Sequence, residues 1–155
     1  MGKILIVNGP NLNMLGVREQ EFYGSQTLEE INHDLSEYAR EQGVEVEFFQ
    51  SNHEGSLVDR IQQAYGEVDM IIINPGAFTH YSVALYDALK TLKVPVLEVH
   101  LSNIYAREEF RHHSLISPLA VGGVFGLGPI GYRLALEAAC QQLKQGSDQG
   151  SGWRE

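Results

Sequence analysis

Five short apolar runs, rich in β-branched residues and separated by stretches of helical periodicity, constrain this chain more than anything else in it. The runs are Lys3–Asn8, Val44–Gln50, Asp69–Asn74, Val94–His100 and Gly122–Gly126. A strand covered on both faces reads as a nearly continuous apolar run, whereas one with a wet face alternates. Strand and helix in regular alternation therefore predict a parallel sheet with helices packed on both sides.

The helices carry their own punctuation. Thr27 and Glu30 stand in capping-box spacing, and Leu28, Ile31, Leu35, Tyr38 and Ala39 line one face until Gly43 stops the helix. Further helices are predicted over Leu57–Tyr65, ending at Gly66, and over Ser82–Leu92, after which Lys93-Val94-Pro95 turns into the next strand. The last, Gly131–Lys144, is apolar nearly all round, which predicts burial by the sheet on one side and by another subunit on the other. Residues 146–155 are polar, Gly-rich and aperiodic, and are predicted to be a disordered tail. Residues 1–145 are then one α/β domain, a flavodoxin-like doubly wound five-stranded parallel sheet, and 155 residues of which 43 % are hydrophobic suffice for a single core.

Charge narrows the partners. With 11 Lys plus Arg against 20 Asp plus Glu the net charge is −9, so the broad basic face that nucleic acid or an anionic membrane would need is not expected. The single Cys140, in "LALEAAC", reads as a small buried hydrophobe, which excludes a disulfide framework and a Cys-based zinc site. The first apolar run is broken by Asn8-Gly9-Pro10 too early for a secretory or membrane segment, and Ile6 breaks the myristoylation pattern. A cytoplasmic location is the expectation.

In an open doubly wound sheet, ligands bind beyond the carboxyl ends of the strands. The loops there are unusual. "NGPNLNMLGVREQEFYG" follows the first strand and is too long for a plain strand-to-helix link; "NPGAFTHYS" follows the third. "GLGPIG" over Gly126–Gly131 matches a dinucleotide fingerprint, but only the tail follows it, so it reads as a tight turn. No Walker sequence occurs; the first loop offers amides where a flavin would want hydroxyls, and Asn8 and Asn74 stand where a phospho-receiver needs carboxylates.

After the fourth strand, His100, Arg107, Arg111, His112 and His113 fall within the sixteen residues Val99–Ser114. Adjacent histidines point apart and no His-x-x-x-His accompanies them, which argues against a metal. Arg107 and Arg111 are four apart and on a helix would share a face, neutralised by Glu108 and Glu109 or turned to an anion. Glu98 and His100 have the arrangement of a carboxylate orienting an imidazole for proton transfer, though His100 alone is equally consistent with a satisfied core histidine.

Four motifs, "NGPNLNMLG", "REQEFYG", "INPGAFTHYSVALYDAL" and "EVHLSNIYAREEFRHHS", in order and over Lys3–Leu143, resemble the type II 3-dehydroquinate dehydratases. The resemblance implies a flavodoxin-like fold, a homo-oligomer that is a dodecamer of trimers, no cofactor or metal, and dehydration of 3-dehydroquinate to 3-dehydroshikimate in the shikimate pathway. It further implies that Tyr23 removes the proton alpha to the ketone, with Arg18 and Arg107 holding it as phenolate. His100, oriented by Glu98, would protonate the leaving hydroxyl, and Asn11 would place a water at the enolate oxygen. Asn74, His80 and Arg111 would bind substrate hydroxyls, Leu101 and Ser102 the carboxylate, and Asp87 would reach a neighbouring subunit's site. From the residues alone, Tyr23 reads as a loop anchor and Asn11 as turn chemistry.

Three positions depart from the family pattern. Gln20 replaces a usual Pro in the lid segment, Tyr81 follows His80 where Thr is common, and Tyr105 stands where His is frequent. Losing that Pro raises the entropy lost on ordering the lid. The same reaction in quinate breakdown, a related lyase, or a non-catalytic oligomeric binder of small carboxylates are the alternative readings; a mere binder needs no base on a lid.

Overall fold

The computed structural model describes residues 2–149. Strands β1 (Lys3–Asn8), β2 (Glu45–Gln50), β3 (Met70–Asn74), β4 (Val96–His100) and β5 (Gly122–Phe125) pair in parallel in the order β2-β1-β3-β4-β5. The helices are α1 (Gln20–Tyr23), α2 (Leu28–Glu41), α3 (Glu54–Gln63), α4 (Val83–Leu92) and α5 (Ile130–Gln149). This is the flavodoxin-like doubly wound order expected from the alternation of runs.

Side chains alternate along each strand and so feed two cores. Ile4 and Ile6 of β1, Met70 and Ile72 of β3, and Leu97 and Val99 of β4 pack with α2 and with Tyr132, Leu136 and Cys140 of α5. Leu5, Val7, Ile71, Ile73 and Val96 face α3 and α4, meeting Leu57, Ile61, Leu85 and Leu89. Each fully buried aliphatic contributes about 1.5–3 kcal/mol, so the central strands, buried along their whole length except at Lys3, hold the sheet rigid under whatever their ends carry.

Local chemistry fixes the helix starts. The Thr27 hydroxyl accepts the Glu30 N–H at 3.2 Å, and the Ser82 hydroxyl accepts the Leu85 N–H at 3.0 Å. Strand β4 starts two residues later than the sequence suggests, because Pro95 has no N–H for the ladder. The helical expectation for Leu57 begins three residues late, since Glu54 already occupies the first turn of α3, where a carboxylate suits the helix dipole. The expected tail also needs correction: residues 146–149 are the last turn of α5. Extending an existing helix needs no new nucleus, and one Gly costs it only about 1 kcal/mol. Residues 150–155 of that expected tail lie outside the described residues.

Candidate active site

Between β1 and β3 the strand order reverses, and there the loops after the two strands separate into a cleft. A cavity of about 110 Å³ lies in it, walled by the loops after β1, β3 and β4. Those loops are locked together. Gly9 donates its N–H to the Asn74 carbonyl at 2.8 Å, and a Cβ on Gly9 would lie 2.3 Å from the Pro75 carbonyl oxygen. Gly76, at φ +60°, has the same relation to the first loop: its Cβ would lie 3.0 Å from the Pro10 carbonyl oxygen. From β2, Gln50 donates to the Gly9 carbonyl at 3.1 Å, while the Asn11 N–H is taken by Asn52 at 2.9 Å. Asn11 itself adopts a left-handed backbone at φ 70°, a conformation Asn tolerates better than most residues.

On β4, residues 98 and 100 share a face by strand periodicity, and the imidazole of His100 donates from Nε2 to Glu98 Oε2 at 2.5 Å. Glu98 is only 5 % exposed. Its other contacts come from the loop before β5: Ser114 donates to Oε2 at 2.7 Å and Ser117 to Oε1 at 2.5 Å. Burial opposes the charge of this carboxylate, yet hydrogen bonds from His100, Ser117 and Ser114 outweigh it and hold the group below its ordinary range. The result is a fixed negative charge behind an imidazole that faces the cavity.

Tyr23 closes the cavity from α1. Its hydroxyl oxygen accepts a hydrogen bond from Arg107 Nη1 at 2.8 Å, and the same nitrogen donates to Ser102 Oγ at 3.2 Å. The Arg18 and Arg107 guanidinium carbons lie 5.0 and 5.6 Å from the centre of the tyrosine ring. Both guanidinium groups thus lie against the tyrosine ring. Glu19 lies 3.5 Å from each arginine, tying the loop to them. His80 donates from Nδ1 to the His113 carbonyl, 2.8 Å away. Burial above all, with the neighbouring His100 and Arg111, holds His80 below its ordinary pKa.

The family profile described as Dehydroquinase class II matches residues 2–140. The chain belongs to the class II dehydroquinase family. A 3-dehydroquinate dehydratase of Hydrogenovibrio crunogenus is 58 % identical over 144 residues, covering 93 % of this chain and all of the relative. One from Caldicellulosiruptor bescii is 56 % identical over 139 residues, 89 % of this chain and 96 % of the relative. Among solved structures, the type II dehydroquinase from Butyrivibrio crossotus superposes with a TM-score of 0.86 at 47 % identity, covering 88 % of this chain and 96 % of that one.

Of the residues the sequence singled out for such a family member, Asn11, Arg18, Tyr23, Asn74, His80, His100, Leu101, Ser102, Arg107 and Arg111 all line the one cavity. Glu98 stands behind His100 rather than in the wall. Asp87 lies elsewhere, exposed on α4 and away from this cavity. The arginine pair reaches the cavity differently than expected. No helix joins them: Arg107 is extended after a short turn over Ile104–Ala106, and Arg111 ends another over Glu109–Arg111. Glu108 does neutralise Arg111, at 2.6 Å. The histidines after β4 have separate duties, His112 bonding the Arg107 carbonyl at 3.0 Å, and among the described residues no cluster of three His, Cys, Asp or Glu could hold a metal.

Sequence reasoning missed the clamp on Glu98 by Ser114 and Ser117, and a buried trio of Asn8, Asn74 and Tyr132 under the cavity floor. A signal for the trio existed: two Asn closing otherwise apolar strands, and one Tyr in an apolar helix.

Proposed function

We propose that this chain dehydrates 3-dehydroquinate to 3-dehydroshikimate, as a carbon–oxygen lyase serving aromatic biosynthesis. The observation that carries the reading is a tyrosine oxygen held by Arg107 at 2.8 Å across one small cavity from a histidine backed by a buried carboxylate at 2.5 Å. Tyr23, as phenolate, takes the proton alpha to the substrate ketone, and the C–H electron pair forms the enolate. The enolate then reforms the ketone as its double bond moves toward the hydroxyl-bearing carbon. That C–O bond breaks, and His100 as imidazolium gives its proton to the departing hydroxyl, which leaves as water. A proton must afterwards pass from Tyr23 to His100, through solvent, to restore the starting state.

Around this centre Asn11 orients a water at the enolate oxygen, and Asn74, His80 and Arg111 hold substrate hydroxyls. Ser102 accepts from Arg107 and so keeps its own hydrogen to donate to the substrate carboxylate beside Leu101. Acid–base help of this kind is typically worth ~10²–10⁴-fold per group. Asp87, exposed and remote from its own cavity, completes the site of a neighbouring subunit in a dodecamer of trimers. The exposed Tyr81, Val83 and Phe110 supply apolar surface for that assembly. The enzyme works in the cytoplasm; no helix among the described residues is long and apolar enough to cross a membrane.

The test is ultraviolet absorbance of purified protein with 3-dehydroquinate, with and without a chelator, because the product's conjugated enone absorbs where the substrate does not. Chelator-resistant product formation is expected. Well-folded protein that gives no signal would refute the reading, and growth of a deletion strain without aromatic amino acids separates biosynthesis from quinate breakdown.

A further inference from the structure

Tyr132, on the first turn of α5, is completely buried, and its hydroxyl lies where β1 and β3 end. It donates to Asn8 Oδ1 at 2.5 Å and accepts from Asn74 Nδ2 at 3.0 Å. A buried hydroxyl without partners is costly, so both bonds are strongly selected by the fold. Asn74 Oδ1 in turn accepts the Gly76 N–H at 3.2 Å. A neutral phenol has one hydrogen, and burial keeps this one protonated by raising its pKa. That hydrogen goes to Asn8, so Tyr132 can only accept from Asn74.

The amide of Asn74 therefore has one allowed orientation. Flipped, its oxygen would face the phenol lone pair and its NH₂ would face the Gly76 N–H, losing two bonds at once. With Oδ1 on Gly76 and one Nδ2 hydrogen on Tyr132, the second Nδ2 hydrogen is the donor that Asn74 has left for the cavity it lines.

We propose that Tyr132 is a positioning residue which, through the Asn8–Tyr132–Asn74 chain, sets Asn74 as a hydrogen-bond donor toward a substrate hydroxyl oxygen. The inference rests on the reading of Asn74 as a substrate contact. It implies that binding, rather than proton transfer, depends on α5.

Steady-state kinetics of Tyr132→Phe, Asn74→Ala and the double variant on 3-dehydroquinate test it. Tyr132→Phe is expected to raise KM by ~10-fold with kcat within ~3-fold, the loss of about one well-placed hydrogen bond. The double variant should be no worse than Asn74→Ala alone, because the tyrosine acts only through that amide. A purely structural role would lower the active fraction, hence apparent kcat, and leave KM unmoved. If Asn74→Ala leaves KM unchanged, the substrate contact itself is wrong. If Asn74→Ala raises KM and Tyr132→Phe does not, or if their effects multiply, the positioning role is overturned. Should Tyr132→Phe fail to fold, Asn8→Ala decides the matter. It strips the phenol hydrogen of its acceptor and lets the hydroxyl turn away from Asn74 Nδ2, so KM should rise in the same way; an unchanged KM overturns the proposal.

Discussion

Replacing Arg107 by Met removes a charge while keeping an apolar stem where the arginine side chain is 8 % exposed. With Nη1 at 2.8 Å from the Tyr23 oxygen, the centre of the guanidinium charge is about 4 Å from it, worth up to about 4 kcal/mol at an effective dielectric of about 20. Water entering the gap recovers part of that, leaving a loss of about 2–4 kcal/mol, or roughly 30- to 1,000-fold in rate. The loss should fall mainly on kcat, because the interaction strengthens as the tyrosine oxygen becomes anionic. A smaller rise in KM follows from the lost bond to Ser102. Arg107→Lys should lie between: it keeps the charge but cannot span Tyr23 and Ser102 with one planar fork. The assay is the enone absorbance under saturating substrate, with circular dichroism and thermal melting to establish that each variant is folded. A folded Arg107→Met enzyme within about 3-fold of the parent kcat would refute the argument that this cation activates Tyr23.

Three further outcomes are expected. Tyr23→Phe should lose turnover while binding of a substrate-like ligand, measured by calorimetry, stays within about 3-fold; normal turnover would remove Tyr23 as base. Glu98 is held below its ordinary range when folded, so its contribution to stability is present above the unfolded pKa and disappears as pH falls through the folded one. Urea unfolding from pH 6 to about 3 should thus be steeper in pH for the parent than for Glu98→Gln, and parallel curves would contradict the clamp. Gly123→Ala would put a Cβ 2.6 Å from the Glu98 carbonyl oxygen, an overpacking expected to cost about 1–3 kcal/mol; an unchanged melting temperature would show that β5 yields freely.

What the sequence disclosed follows from the range of the forces involved. β1 was readable to the residue because its apolar run ends at Asn8 and the burial pattern repeats it. The three active loops stood out because long polar segments at one sheet end need a reason. Other features depend on partners far apart in the chain. Tyr132 meets Asn74 across 58 residues and Asn8 across 124, and no local pattern encodes that meeting. Tyr23 was legible through resemblance alone, since its neighbour Arg107 is 84 residues away. The arginines misled in the opposite direction: their spacing of four suggested a helix face, but two short turns aim both at the cavity.

Gly9 meets the other loop's backbone with no room for a carbon between them and Gly76 with very little, so the loops after β1 and β3 are not expected to drift separately through generations. A side chain gained on one side must wait for the opposite backbone to retreat, and that retreat would move Asn11 and Asn74 with it. Change at this floor is therefore expected to come in matched pairs. Novelty of substrate would enter more easily by the third wall, the segment after β4, where Tyr105 is already exposed.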